Sequence, residues 1–214
     1  MDMVNSEILI PSLLMPPSKL FAALQKSSKI IIDDCETYPK QTLRNRYYLG
    51  GPNDIISLVV PVKKPFGHKT KTNEILIDYS TNWALYHKKT ITTSYSKSPF
   101  FLYYSDYIFD EFEKKHQKLT ELNYALMKLF FKWLHITAPI EISHEYIHSF
   151  EQNDLRKLCK SNLSWELENI YNQPFDNIFG FRNSLSILDI MFNLGPQTKE
   201  YLRKETNYAN LQNS

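Results

Sequence analysis

The chain has 214 residues, 43% of them hydrophobic and 14% aromatic, with a formal net charge of +2. That composition argues against a disordered chain and lacks the clustered basic surplus of a dedicated DNA-binding protein; its five glycines also make a Gly-rich phosphate loop a poor expectation. Cys35 and Cys159 form no CxxC pattern and read as reduced thiols, no apolar run approaches membrane-spanning length, and no basic-then-apolar leader opens the chain, so a cytoplasmic protein without a membrane span is expected.

Residues 8–10 read as a short buried strand, and Pro11 with Pro16-Pro17 marks a loop. Residues 18–26 read as a helix with Leu20, Phe21 and Leu24 on one face, and 29–33 (KIIID) as a strand. Strand, helix and strand this close predict a βαβ unit with parallel strands. Residues 43–49 and 55–62 predict an antiparallel hairpin turned by Gly50-Gly51-Pro52-Asn53-Asp54. The polar, basic stretch 63–73 is expected as a mobile loop, and 74–78 as a strand.

Ser80 or Thr81 should cap a helix over 82–96, and Pro99 should open another to about residue 114. Residues 119–134 form the longest amphipathic pattern, with Leu122, Leu126, Leu129, Phe130 and Trp133 in helical register. Residues 139–146 alternate like a strand, and 154–161 read as a short helix. A helix over 185–194 is stopped by Gly195-Pro196, and a last one over 197–204 precedes a polar tail. The expected class is α+β: one domain over 1–214, with a βαβ unit and hairpin in a mixed sheet within the strand-rich 1–80, a helix-rich 81–205, and the tail 206–214.

Between the second strand and the hairpin, residues 40–46 hold three cations and two carboxamides, with no acid. If this block is extended, Lys40, Thr42, Arg44 and Arg46 share one face, and the outer two lie about 20 Å apart, too far for one phosphate. If instead Thr37 caps a helical turn, Lys40 neighbours Arg44 and Gln41 neighbours Asn45. Either way the block is an anion-binding candidate, because arginine suits bidentate capture of phosphate or carboxylate. The competing reading is structural: Arg44 or Arg46 paired with Asp33, Asp34 or Glu36.

Trp83 and His87 lie one turn apart on the helix after Ser80, with Thr90, Ile91, Ser94 and Tyr95 continuing that side. Such a mixed face could line a pocket with His87 as general base, or hold a core-edge histidine satisfied by a backbone carbonyl. The aromatic run Pro99-Phe100-Phe101 with Tyr103-Tyr104 reads as core first and as a stacking platform second. His144-Glu145-Tyr146-Ile147-His148 matches HExxH, which on a helix would place two imidazoles for zinc. The strand-like alternation before it and the missing apolar helix argue against a metal there, and no metal is expected.

On these residues the chain resembles the WbqC-like protein family. The resemblance rests on Leu9-Ile10-Pro11-Ser12, the run Tyr38-Pro39-Lys40-Gln41-Thr42-Leu43-Arg44-Asn45-Arg46, Leu58-Val59-Val60-Pro61-Val62, Trp83, His87-Lys88, Thr93-Ser94-Tyr95 and Ser98-Pro99-Phe100-Phe101. Near the C-terminus it rests on Gly180-Phe181, Leu185-Ser186-Ile187-Leu188-Asp189-Ile190-Met191-Phe192-Asn193 and Gly195-Pro196. The resemblance implies a bacterial role in surface-polysaccharide (O-antigen) or modified-sugar biosynthesis, and it supplies no catalytic residue. The expectation is a transferase, acyl or aminoacyl transfer to a nucleotide-linked amino sugar being the chemistry. Lys40, Gln41, Arg44, Asn45, Arg46, Trp83 and Tyr95 would bind the substrate and His87 would be the base; Asp189 and Asn193 share a helix face that could border the site. A non-catalytic ligand-binding or scaffold protein is the second expectation, a zinc hydrolase through His144, Glu145 and His148 the third. The partner is a small molecule, a nucleotide sugar being the leading case. Nucleic acid is not expected, because a solvated loop explains the charges of 63–71 more simply. The sequence leaves cofactor and oligomeric state open.

Overall fold

The computed structural model describes residues 6–157, 159 and 165–205. The βαβ unit is present as β1 (Glu7–Pro11), α1 (Ser18–Leu24) and β2 (Lys29–Asp33). β1 and β2 pair in parallel from Glu7↔Lys29 to Pro11↔Asp33. Their cores, ILI and III, are buried throughout, as parallel strands covered on both faces require. All seven residues of α1 are buried, a wider face than Leu20, Phe21 and Leu24 alone.

The hairpin is β3 (Arg46–Gly50) against β4 (Ile55–Val59), paired Arg46↔Val59 to Gly50↔Ile55, and it forms its own two-stranded ladder. A second small ladder joins β5 (Val62–Lys63) to β6 (Leu76–Ile77). The stretch 63–73, expected as a free loop, contains two 3₁₀ turns and is tied to the segment after β2. Thr70 O accepts from Tyr38 N at 3.0 Å, while Thr72 N and Asn73 N donate to Glu36 O and Asp34 O, each at 2.9 Å.

Three helices follow: α2 (Trp83–Tyr95), α3 (Phe101–Glu113) and α4 (Leu119–Leu134). The cap of α2 is Asn82, whose side chain accepts from Leu85 N at 3.2 Å; Ser80 N instead donates to Asp78. α4 has the expected bounds and ends at His135 in the left-handed conformation. The chain then returns to the first sheet. β7 (Ile140–Ile142) adds to β2 and β8 (Asn153–Asp154) adds to β1, giving four parallel strands in the order β7-β2-β1-β8. The helix expected over 154–161 is therefore a strand and a turn as far as residue 157; residues 158, 160 and 161 lie outside the described residues. Pairing of Asn153 and Asp154 with Ile8 and Leu9 overrides the local helical pattern.

A short helix, α5 (Asp176–Phe179), precedes α6 (Ile187–Leu194) and α7 (Thr198–Lys204), and α6 and α7 both contact α1. At the stop after α6, Gly195 has φ +52°, and a Cβ there would lie 2.4 Å from the Phe100 ring. Helices thus dominate the C-terminal part, and the parallel sheet directs the ends of four strands to one edge.

Candidate functional site

In open parallel sheets ligands bind outside the carboxyl ends of the strands, where the winding direction reverses. Here the winding runs from β1 to β2 and on to β7, then reverses to place β8 on the far side of β1. The residues delivered to that edge are polar: Ser12 after β1, Asp33 to Glu36 at the end of β2, Ser143 after β7, and Asp154 and Arg156 at β8.

The basic block lies over this edge as a turn, neither extended nor helical, with Gln41 in the left-handed region at φ 56°. Leu14 N donates to Leu43 O at 2.9 Å, and Asn123 Nδ2 of α4 bridges Ser12 Oγ and Arg44 O, both at 3.0 Å. Arg44, 2% exposed, donates through Nε to Glu36 Oε1 at 2.6 Å, and its Nη2 lies 2.5 Å from the same oxygen. Of the pairs that the sequence left open, the fold selects this one. Across the cleft Arg156 Nη1 reaches Asp33 at 2.7 Å and the Ile147 carbonyl at 2.6 Å, and its Nη2 reaches Asp154 at 2.7 Å. Between them opens a cleft of about 220 Å³, walled by Glu36, Pro39, Thr42 and Arg44 on one side and by Tyr146, Asp154, Arg156 and Lys157 on the other.

Burial pushes the Glu36 carboxyl above its usual value, against the opposing effect of Arg44. Burial also works against ionisation of Asp154, but the hydrogen bonds and charge of Arg156 outweigh it and hold that carboxyl low. Behind the cleft Tyr124 donates to Asp34 Oδ2 at 2.5 Å, and burial with the Asp34 charge raises the phenol. Burial and the charges of Asp34 and Asp33 raise the Cys35 thiol, which keeps it protonated and a poor nucleophile.

The other expected site residues are dispersed. Lys40 and Gln41 are exposed on the turn. Asn45 Nδ2 donates to Val60 O at 2.9 Å while Val60 N donates to Asn45 O at 2.9 Å, a clamp that closes the hairpin. Arg46 is half-buried; its Nε and the hydroxyl of nearby buried Tyr38 both lack a hydrogen-bond partner among the described residues. Lys64 Nζ sits 4.7 Å from the centre of the Tyr38 ring.

Trp83 and His87 do meet, but they lie on the other face of β3, where Tyr47 points away from Arg46. His87 is 1% exposed and caged by Trp83, Tyr47 and Phe112, at ring-centre distances of 5.1, 5.5 and 6.0 Å. Its Nδ1 is 3.0 Å from the Tyr47 hydroxyl, and the ring also bonds the backbone of Val59. Burial lowers its pKa to about 4, only partly opposed by the Val59 bond. These are the surroundings of a satisfied core histidine, and Tyr47 would have to release Nδ1 before the ring could take a proton from a substrate. Tyr95 is buried at the far end of β3, where its hydroxyl accepts from Gly50 N at 3.0 Å and interacts with Asp189.

The HExxH residues occupy an irregular segment between β7 and β8, with the His148 ring packed edge-on against Tyr146. Without a helix the i,i+4 spacing does not set the two imidazoles one turn apart as paired ligands. Among the described residues no group of three or more His, Cys, Asp or Glu side chains is placed to hold a metal ion. The zinc-hydrolase expectation therefore loses its geometric basis. Arg156, Asp154 and Asn123 are functional residues that no motif in the sequence marks; the local pattern of 154–161 is helical, and β8 forms only on pairing with β1.

This arrangement defines an α/β protein whose parallel sheet presents a small, charge-lined cleft at its carboxyl edge. The chain belongs to the WbqC-like protein family, whose profile matches residues 12–167, a span that includes both walls of the cleft and α2 to α4. The C-terminal part of the resemblance, residues 180–196, lies beyond that match. The chain is also similar to the uncharacterized protein Rv1507c of Mycobacterium tuberculosis, 26% identical over 202 residues, covering 81% of this chain and 87% of that protein. No solved structure matches it. Among the described residues no helix is long and apolar enough to cross a membrane.

Proposed function

We propose that this protein is a transferase of bacterial surface-polysaccharide or modified-sugar biosynthesis, moving an acyl or aminoacyl group onto the amine of a nucleotide-linked amino sugar. The supporting observation is the cleft itself, whose lining places Arg44, Arg156 and Lys157 together with a carboxylate of raised pKa, Glu36. In this reading Lys157, with Lys40 and Gln41 on the adjoining turn and Arg46 beside it, contacts the phosphate or carboxylate of the substrate. Arg44 and Arg156, already ion-paired, shape the wall. The amine attacks the acyl carbonyl, its proton passes to Glu36, and the donor's leaving group departs with the electron pair of the broken acyl bond. His87, Trp83, Tyr95 and Asn45 are positioning residues that hold β3 behind the site.

The enclosure of His87 favours a second reading, a protein that binds the same ligand without turnover. A thermal-shift panel of nucleotide sugars, acyl carriers, folates and amino acids separates the cases. A ligand at 100 times its Kd should add about 2.7 kcal/mol of stability. Lys157→Ala should reduce that shift, and turnover of the ligand pair found should then fall in Glu36→Gln. Stabilisation without turnover selects the second reading, and no stabilisation by any member of the panel refutes both.

A further inference from the structure

A second and larger cleft, of about 980 Å³, lies at the other end of β3 from the basic block. It is bounded by the C-terminal turn of α2, residues 171–178 and the end of α6. Its chemistry is the opposite of the first. Its polar lining is four aliphatic hydroxyls (Thr93, Ser94, Ser96, Ser98), three asparagine carboxamides (Asn172, Asn177, Asn193) and a single charged side chain, Lys97, set among apolar Pro99, Pro174, Phe175, Ile178 and Leu194. The Tyr171 hydroxyl and the Gln173 carboxamide are already bonded to Asp189 and Arg182 behind the wall. A phosphate or carboxylate site would concentrate cations, whereas hydroxyls and carboxamides both donate and accept and so match the hydroxyls of a sugar. Pro99, Pro174 and Phe175 add flat apolar surface of the kind that covers the C–H face of a sugar ring.

The wall is preorganised. Gln173 Nε2 and the Tyr171 hydroxyl donate to Asp189 Oδ2 at 2.8 and 2.5 Å, and Asn193 Nδ2 donates to Asp189 O at 2.8 Å. Asp189 is itself 1% exposed, so buried hydrogen bonds hold these side chains in place. Two hydroxyls on the opposite wall, Ser94 and Ser98, are 3% and 8% exposed, and neither Oγ has a hydrogen-bond partner among the described residues. Buried hydroxyls are normally paired, and an unpaired one beside a cleft has bonding capacity that a ligand hydroxyl or a water can meet. At the lip Phe175 opens the short helix α5 at φ 68°, a left-handed conformation unusual for an aromatic residue.

We propose that this cleft is a binding site for a neutral polyhydroxylated ligand, a sugar ring bound through hydroxyl and carboxamide groups and stacked on Phe175. Its volume, at the upper end of the range for small-molecule sites, accommodates one or two rings. The site is separate from the charged cleft, and its ligand is defined by the cleft's own lining whether or not the transferase reading holds.

The test is saturation-transfer NMR on the full chain with free glucose, galactose, N-acetylglucosamine and N-acetylgalactosamine at millimolar concentration. Saturation should pass to at least one sugar. Ser96→Trp and Asn177→Trp, both at exposed wall positions where folding can be verified by circular dichroism, should each weaken binding at least about tenfold. Lys157→Ala, in the other cleft, should leave sugar binding unchanged. Transfer to none of the four sugars overturns the proposal, as does transfer that survives in both tryptophan variants or is displaced by inorganic phosphate. A failed thermal-shift panel with a positive result here would refute the function proposed for the charged cleft alone.

Discussion

His87 separates a structural from a catalytic histidine by its titration. Its pKa in the fold is lowered from 6.5 to about 4, because burial in the aromatic cage penalises the charged ring. The unfolded chain therefore binds a proton at higher pH than the folded one does. The stabilisation from keeping the ring neutral is complete above pH 6.5 and is lost as pH falls toward 4. At about 1.4 kcal/mol per pH unit that gap corresponds to about 3 kcal/mol. Urea unfolding of the wild type and of His87→Gln, measured from pH 7 to pH 4, isolates the contribution from the carboxylates that titrate in both. The variant should start less stable, having lost the Tyr47 and Val59 partners of the ring, and its curve should be flatter than the wild-type curve by about 3 kcal/mol across that window. Parallel curves, or an NMR titration of the His87 ring near 6.5 in the folded protein, would refute the argument and restore His87 as a base poised for work near neutral pH.

Glu36→Gln should destabilise the protein by roughly 3–5 kcal/mol in denaturant unfolding, because it leaves Arg44, 2% exposed, without its counter-ion. Lys19→Met should cost a similar amount, roughly 3–5 kcal/mol, since Glu205 is fully buried and Lys19 Nζ lies 3.0 Å from its carboxylate. Gly195→Ala combines a left-handed backbone, about 1 kcal/mol, with a Cβ driven into the Phe100 ring, about 1–3 kcal/mol more; a calorimetric Tm within a degree of wild type would contradict that geometry.

The strand cores ILI and III and the helix over 119–134 were legible because their signals are local: unbroken apolar runs and a 3.6-residue period. The basic block was legible as an acid-free run of cations. Its conformation was not, because Gln41 turns in the left-handed region while Leu43 and Arg44 are held by Leu14 and Asn123 from elsewhere in the chain. The same limit explains 154–157, where a two-residue pairing with β1 outweighed a helical pattern. It also explains His144 to His148, where the spacing matched a motif but no helix formed to give that spacing its meaning.

By itself the sequence determined the βαβ start, the helix-rich second part, the family and the residues capable of meeting an anion. Only the tertiary structure decided which of them share a site. It paired Arg44 with Glu36 eight positions away, set Arg156 against Asp33 across 123 positions, and put Arg46 and His87 on opposite faces of one strand. Helix and strand periods are written over a few neighbouring residues. Partners brought together by the closure of the parallel sheet leave no such local mark, because packing and strand order choose them after the elements have formed.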